Sequence, residues 1–229
     1  MKTVINIVLG LVACALVYIC YASIMGPINF EKGKKVRDRE VIARLIDIRK
    51  AQLEYRSQHE QRYTASFDTL IDFVKNAKIP FVLKEGVLSD DQLEDGLTES
   101  KAMRIIEKAK KTGNYRDVKK QGLENFKRDT LWVAVLDTIY PRDFNADSLR
   151  FVPFTNGTAK FEMATRSDST KSGIPLYLFE AKVPYKVYLD GLNHQEIINI
   201  VDLQQKLDKY PGLMVGSIDS PNNNAGNWE

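Results

Sequence analysis

The chain has 229 residues, of which 28% are charged, and its formal net charge is +3. This length suits one membrane segment followed by one large or two small soluble domains, and it is enough to bury a real core. The small net charge gives no overall indication of nucleic-acid binding, which needs a strongly basic face. Both cysteines, Cys14 and Cys20, lie in an apolar N-terminal run, so the remaining sequence excludes a disulfide framework, a thiolate metal site and a cysteine nucleophile.

Residues 4–25 form an apolar run that predicts a membrane anchor over residues 1–29. As a helix the run spans about 33 Å, which covers a hydrocarbon core of about 30 Å. Tyr18 and Tyr21 lie toward its far end, where amphipathic rings suit the membrane interface. The side chains that we expect to face lipid are large and apolar: Val4, Ile5, Ile7, Leu9, Leu11, Leu16, Ile19 and Ile24.

Two other interpretations of the apolar run remain open. A cleaved secretory signal has an apolar core of about 7–15 residues, which is shorter than this run. A lipoprotein signal would place a lipid on Cys14, although the chain stays apolar through Ile24.

Small side chains in the run would also allow a second helix to approach closely, which predicts self-association through the anchor. These small residues are Gly10, Ala13, Ala15 and Ala22.

A basic segment follows the anchor. Its cations are candidates for contact with anionic lipid heads, each worth about 1 kcal/mol near the surface. The alternative is a solvated helix end, since Glu31, Asp38 and Glu40 are interleaved. The positive-inside rule would keep this segment and the following domain in the cytoplasm. The candidate lipid contacts are Lys32, Lys34, Lys35, Arg37 and Arg39.

The rest of the sequence predicts an α+β fold. Residues 30–60 have apolar side chains at helical spacing and predict a long amphipathic helix that continues from the anchor, with a bend near Pro27. Ser66 is placed to cap a second helix over residues 67–77. We divide the soluble part into a helical segment at 30–88, a charged insertion or linker at 89–129 and a β-rich segment at 130–229.

The β-rich segment is inferred from β-branched and aromatic side chains between turn residues. Asn156-Gly157 is a good hairpin signal. Residues 194–209 stay ambiguous between strand and helix. The expected strands are residues 131–139, 151–154, 159–165, 176–183, 185–189 and 213–218.

The layout resembles that of type IV pilins and of the pseudopilins of type II secretion. Residues 48–55, the pair Arg62-Tyr63 and the spacing from Phe67 to Leu70 are similar to the end of the pseudopilin long helix. Residues 226–228 are similar to the end of the major pseudopilins. The resemblance implies a long helix packed on a mostly antiparallel sheet, an inner-membrane anchor and a periplasmic domain. Ala15 stands where the family has glutamate, so we expect a pilin-like protein that stays in the membrane.

The sequence shows no recognisable catalytic centre, and we expect no cofactor. His59 and His194 lack a neighbouring nucleophile pattern, and we expect both at the surface. A weak calcium candidate is formed by Asp143, Asn145 and Asp147, although turn chemistry explains these residues better. The acidic residues Asp90, Asp91, Glu94 and Asp95 are interpreted as a solvated face, with a partner-docking patch as the alternative.

Two functions are compatible with this sequence. The first is a non-enzymatic structural or interaction subunit of a pilus-like or secretion-related assembly, with the bilayer and other envelope proteins as partners. The second is a membrane-tethered domain that binds a ligand or peptide. An exposed apolar patch would favour the first, and a deep pocket with convergent polar groups would favour the second.

Overall fold

The computed structural model describes residues 2–169 and 173–229, without the side chains of residues 2–5 and 8. The predicted lipid-facing side chains of Val4 and Ile5 therefore lie outside the described part. The contact pattern divides the chain into two compact units. We call the first, Met1–Lys75 with Pro141–Glu229, the helix–sheet unit, and the second, Asn76–Tyr140, the inserted unit. The fold is α+β, as the sequence predicts.

Helix α1 runs without interruption over Lys2–Gln58 and passes through Pro27. Within the described residues it is the one helix that is long and apolar enough to cross a membrane, with a mean hydropathy of 2.0 in its apolar part. The large apolar side chains expected to face lipid are exposed wherever they are described, as a lipid-facing surface requires: Ile7, Leu9, Leu11, Leu16, Ile19 and Ile24.

The soluble half of α1 packs against an antiparallel sheet of three strands. These are β3 at Glu162–Ser169, β4 at Pro175–Pro184 and β5 at Gly212–Gly216, with β4 in the centre. The register places Phe179 opposite Thr165 and Ala181 opposite Val215. Helix α1 contacts both β4 and β5. A fully buried stripe on α1, at Val41, Leu45, Ile48 and Gln52, faces the core of this unit.

Helix α2, Phe67–Asn76, completes the N-terminal part of the helix–sheet unit. The Ser66 hydroxyl accepts a hydrogen bond of 3.3 Å from the Thr69 amide, which confirms the predicted cap. Its buried face consists of Leu70, Ile71, Phe73 and Val74. Helix α2 is thus amphipathic and is held by apolar burial, since a helix this short is marginal on its own.

The inserted unit has a two-stranded antiparallel ribbon, three helices between its strands and a fourth helix after the second strand. Strands β1, Lys78–Glu85, and β2, Lys127–Ala134, pair over their whole length. Between them lie α3 at Asp90–Glu94, α4 at Glu99–Thr112 and α5 at Arg116–Lys120. Buried residues of these helices and of the segments that connect them form a small core: Leu88, Leu97, Ala102, Ala109, Val118, Leu123 and Phe126.

Three expected strands differ from the structure. Strand β2 ends at Ala134, and Val135–Ile139 form helix α6, which begins where the Val135 amide bonds to the Ala77 carbonyl. Tyr185–Tyr188 form helix α7, because the Leu189 amide closes a turn onto the Tyr185 carbonyl and this turn buries both tyrosines.

Residues 151–154 are not a strand either. Phe151 makes only an isolated bridge to Lys160, and Phe154 has a φ of 65°, which is incompatible with a continuing strand. The turn at Asn156-Gly157, with positive φ at both residues, joins the two sides of that bridge as the hairpin signal predicts. The ambiguous residues 194–209 contain helix α8, His194–Lys206, capped by Asn193.

Candidate functional site

A groove of about 510 Å³ opens on the helix–sheet unit between α1, β5 and the end of the chain. We call it the juxtamembrane groove, because Lys34 lies only about 14 Å along the helix beyond Met25 at 1.5 Å per residue. Aromatic side chains, amides and charges share its lining. The lining includes Lys34, Asp38, Tyr185, Tyr210, Asn227 and Trp228.

Asp38 is the centre of a hydrogen-bond network at the base of this groove. Tyr188 Oη donates to Asp38 Oδ1 at 2.7 Å, and Lys34 Nζ donates to Asp38 Oδ2 at 2.6 Å. Lys34 Nζ also lies 5.5 Å from the centroid of the Tyr185 ring. Burial and the hydrogen bond to Asp38 together raise the pKa of Tyr188 far above its usual range. Burial lowers the pKa of Lys34, but the hydrogen bond and charge of Asp38 outweigh it, and the net shift is upward.

Tyr210 forms a second part of the groove wall. Burial raises its pKa, and the negative charges of Glu162 and Glu180 raise it further. Glu180 is itself 4% exposed and pairs with Lys182 at 2.7 Å, while Lys182 Nζ lies 5.4 Å from the Tyr210 ring centroid. The buried carboxylate is therefore compensated by a cation that also contacts an aromatic ring.

The end of the chain is fastened to β5 and forms the outer rim of the groove. Asn227 Oδ1 accepts a hydrogen bond of 3.1 Å from the Met214 amide, and Asn227 Nδ2 donates to the Gly212 carbonyl at 2.9 Å. A Cβ at Gly226 would overlap the Trp228 ring, so glycine allows the indole to fold back onto the backbone. This arrangement holds Trp228 against the groove.

Arg49 ties the end of the chain to α1. Its Nη1 donates to Glu229 Oε1 at 2.7 Å and to the Asn224 carbonyl at 3.2 Å. Asn224 Nδ2 in turn donates to the Tyr63 hydroxyl at 3.0 Å. The hydrogen bond from Arg49 lowers the pKa of Glu229. The groove rim is thereby fixed to α1 as well as to β5.

Two of the five cations predicted to contact lipid heads serve the fold. Arg37 Nη1 donates to the carbonyls of Tyr188 at 2.7 Å and Asp190 at 2.6 Å, and Lys34 pairs with Asp38. The other three, Lys32, Lys35 and Arg39, have exposed side chains. Of the five cations, these three can contact a lipid surface without breaking the Arg37 hydrogen bonds or the Lys34–Asp38 pair.

The calcium candidate residues lie around a short 3-10 helix at Ala146–Arg150. Asn145 Oδ1 accepts a hydrogen bond of 3.0 Å from the Asp147 amide, and both Asp147 oxygens lie 2.8 Å from Lys75 Nζ. Asp143 is exposed. Within the described residues, no group of three or more histidine, cysteine, aspartate or glutamate side chains is placed to hold a metal ion.

Both histidines lie at the surface, as the sequence predicts. The His59 ring stacks on Tyr55 with centroids 3.8 Å apart, and its Nδ1 lies 2.9 Å from the Tyr55 carbonyl oxygen. His194 is exposed at the first residue of α8. Among the acidic residues, Asp90 and Asp91 occupy the first turn of α3, where negative charge suits the helix dipole.

The ribbon of the inserted unit exposes apolar side chains on both faces. Side chains alternate between faces along a strand, so Phe81 and its partner Leu131 share one face, while Pro80 and its partner Trp132 share the other. Phe81 is 58% exposed, Leu131 50% and Trp132 64%. The sequence predicted a strand at residues 131–139 but missed β1, which lies within the segment expected to be helical, and therefore missed the exposed ribbon.

The chain matches no protein-family model, and no curated protein or solved structure is significantly similar to it.

Proposed function

We propose that this protein is a non-enzymatic, membrane-anchored subunit that contacts other envelope proteins in a pilus-like or secretion-related assembly. The bilayer holds α1, and the soluble part lies in the periplasm, beyond the inner membrane. The observation that carries the proposal is the ribbon of β1 and β2, which is apolar and exposed on both faces.

The ribbon has the chemistry of a protein contact surface. A two-stranded ribbon is marginally stable by itself, so burying its faces against a partner would stabilise it. Contiguous exposed apolar surface marks interaction sites in soluble domains, and tryptophan is enriched among the residues that dominate binding energy. Trp132 is 64% exposed near the C-terminal end of β2, where a partner could bury it.

The architecture supports the pilin-like part of the proposal. One continuous helix leaves the apolar segment, enters the soluble core and packs on an antiparallel sheet. Residues 226–228, which resemble the end of the major pseudopilins, hold the end of the chain in place. Asn227 hydrogen-bonds to β5, and the Trp228 ring folds over Gly226. Small residues in the anchor, including Gly10 and Ala13, additionally suit helix association within the membrane.

The ribbon is tested with paired substitutions in the full chain. We expect the wild-type protein to migrate as a high-mass complex in native electrophoresis of mild-detergent extracts. We expect the double variant Phe81→Ser with Trp132→Ser to lose this complex. The matched control, Ile198→Ser with Leu203→Ser, removes exposed apolar side chains from α8, which are 42% and 53% exposed. The control should keep the complex. An unchanged complex in the ribbon variant would refute this function for the ribbon.

Membrane orientation is tested separately by protease digestion of spheroplasts. We expect the soluble part to be cleaved from outside while the inner membrane is intact. Protection until lysis would place it in the cytoplasm and remove the pilin-like interpretation.

The juxtamembrane groove supports a second candidate function, the binding of a ligand or peptide. Tyr210 and Trp228 offer half-buried aromatic surface beside the Asp38 carboxylate and the Asn227 side chain, and the buried Tyr185 ring lies in the same wall. The chain has two tryptophans, so Trp132→Phe leaves Trp228 as the sole indole reporter. Titration with a set of short peptides and soluble oligosaccharides should then change the Trp228 emission if the groove binds either class. A response that survives Tyr210→Ala would place the binding elsewhere.

A further inference from the structure

The inserted unit contains a cavity of about 800 Å³ that is separate from the ribbon. Its walls are the loop between α3 and α4, one face of α4 and the end of α5. Pockets that bind ligands have volumes of roughly 300–1,000 Å³, so this cavity is large enough for a short peptide segment.

Cations from two helices converge on this cavity. Lys101 and Arg104 lie three residues apart on α4 and therefore share a face, and Lys120 is the last residue of α5. No ion pair involves any of these three in the part of the chain that the structure describes, whereas Lys84 and Arg128 in the same unit both pair with Glu99. Lys101 Nζ donates to the Gly96 carbonyl at 2.8 Å, and Asp95 also lines the wall, so Arg104 and Lys120 are the exposed cations that can meet a ligand.

The floor of the cavity is apolar and its rim is ordered. Leu97, 7% exposed, and Ile105 line the floor. On the rim, Gln92 is held from both ends, since its Oε1 accepts from the Ser89 amide at 2.7 Å and its Nε2 donates to the Gln121 carbonyl at 2.6 Å. Gly122 has a φ of 62°, and a Cβ there would lie 3.3 Å from Gln92 Nε2. Glycine therefore lets the two sides of the rim approach.

We propose that this cavity binds a short acidic peptide segment of a partner protein. Carboxylates of the segment would pair with Arg104 and Lys120, and aliphatic side chains between them would pack on Leu97 and Ile105. A small inorganic anion would use the cations but not the apolar floor, and the combination of the two favours the peptide. The proposal adds a contact beyond the ribbon and does not depend on it.

The test uses the full chain in detergent and a fluorescent Glu-Leu-Glu-Leu-Glu peptide, with affinity measured by fluorescence anisotropy. We expect Arg104→Gln with Lys120→Gln to weaken binding about tenfold, as the loss of two exposed charge pairs implies. The matched control, Lys110→Gln with Lys111→Gln, removes two exposed charges from α4 outside the cavity and should leave the affinity unchanged. An equal loss in both variants would show general charge attraction and overturn the proposal.

Three further measurements separate the chemistry of the ligand. A Gln-Leu-Gln-Leu-Gln peptide should not bind, and a Glu-Gly-Glu-Gly-Glu peptide should bind several-fold more weakly because it lacks apolar contacts. Displacement of the first peptide by millimolar inorganic phosphate would overturn the peptide assignment in favour of a simple anion site. Finally, Phe81→Ser with Trp132→Ser should bind the peptide like the wild type, so failure of the ribbon and failure of the cavity are distinguishable.

Discussion

Tyr188 and Asp38 are 150 residues apart in sequence, and the tyrosine hydroxyl donates a hydrogen bond of 2.7 Å to the aspartate carboxylate. The bond joins helix α7, directly after the central strand of the sheet, to helix α1 just beyond the anchor. Tyr188 is fully buried, and Asp38 also accepts a hydrogen bond from Lys34. The pair therefore fixes the sheet to the helix that carries it.

We expect Tyr188→Phe to destabilise the helix–sheet unit by about 1–2 kcal/mol, because it removes a hydrogen bond to a charged acceptor while keeping the ring. Chemical unfolding of the detergent-solubilised chain measures the loss. Tyr115→Phe is the matched control, since Tyr115 is 49% exposed. Equal stability of the two variants would mean that the Tyr188 hydroxyl contributes nothing.

Stability should fall as the pH rises above about 10. Unfolded tyrosines lose their protons near that pH, whereas the folded chain keeps the protons of Tyr188, Tyr185 and Tyr210, whose pKa values are raised chiefly by burial. The raised pKa of Lys34 acts in the same direction. Below this window these groups are protonated in both states and give no pH dependence. Tyrosinate absorbance at 295 nm, followed with the unfolding signal, should rise together with unfolding, and Tyr188→Phe should flatten the slope.

Arg37 and Lys35 should behave differently although both lie in the basic segment after the anchor. Arg37→Ala removes two hydrogen bonds to backbone carbonyls and should cost about 2–3 kcal/mol. Lys35→Ala should leave stability unchanged, because Lys35 is exposed. Melting temperatures of the two variants in detergent decide between these outcomes. Similar small effects would contradict the structural role of Arg37.

Gln52 should be intolerant of an apolar replacement even though it is fully buried. Its amide donates to the Thr64 carbonyl at 2.6 Å and accepts from the Thr64 amide at 3.2 Å. Gln52→Leu leaves both backbone groups of Thr64 without this partner, at a cost of about 2–4 kcal/mol. Gln58→Leu is the control on the same helix, since Gln58 is exposed. The difference in unfolding free energy between the two variants is the measurement.

Helices α1 and α2 were predictable because their signals are local. Ser66 caps α2 as expected, and the apolar spacing of residues 30–60 agrees with the soluble half of α1, which ends at Gln58. The strand expected at residues 185–189 was wrong, because its tyrosines and valine have β propensity while Pro184 and the buried positions of Tyr185 and Tyr188 impose a helical turn. Tertiary packing overrides propensity in such short segments.

The candidate surfaces could not be predicted in the same way. Asp38, Tyr185, Tyr210 and Trp228 meet in one groove from four distant parts of the chain, and no spacing in the sequence announces that meeting. Gln52 did leave a signal, because it continues the stripe of Val41, Leu45 and Ile48 at a position where an apolar residue is expected. A polar residue on a buried stripe predicts a hydrogen-bond partner, and here the partner is Thr64.

Because α1 passes through Pro27 without a break, a tilt of the anchor would also tilt the soluble half of the helix. The helix extends roughly 50 Å from Met25 to Gln58, and a tilt of about 20° within the bilayer would swing its far end sideways by roughly 17 Å. The sheet is fastened to the same helix by Tyr188 and Arg37 and would move with it. Tilting is one way in which a long apolar helix adapts to a thinner bilayer, and it would in this way move the groove and the fold around it sideways over the membrane surface.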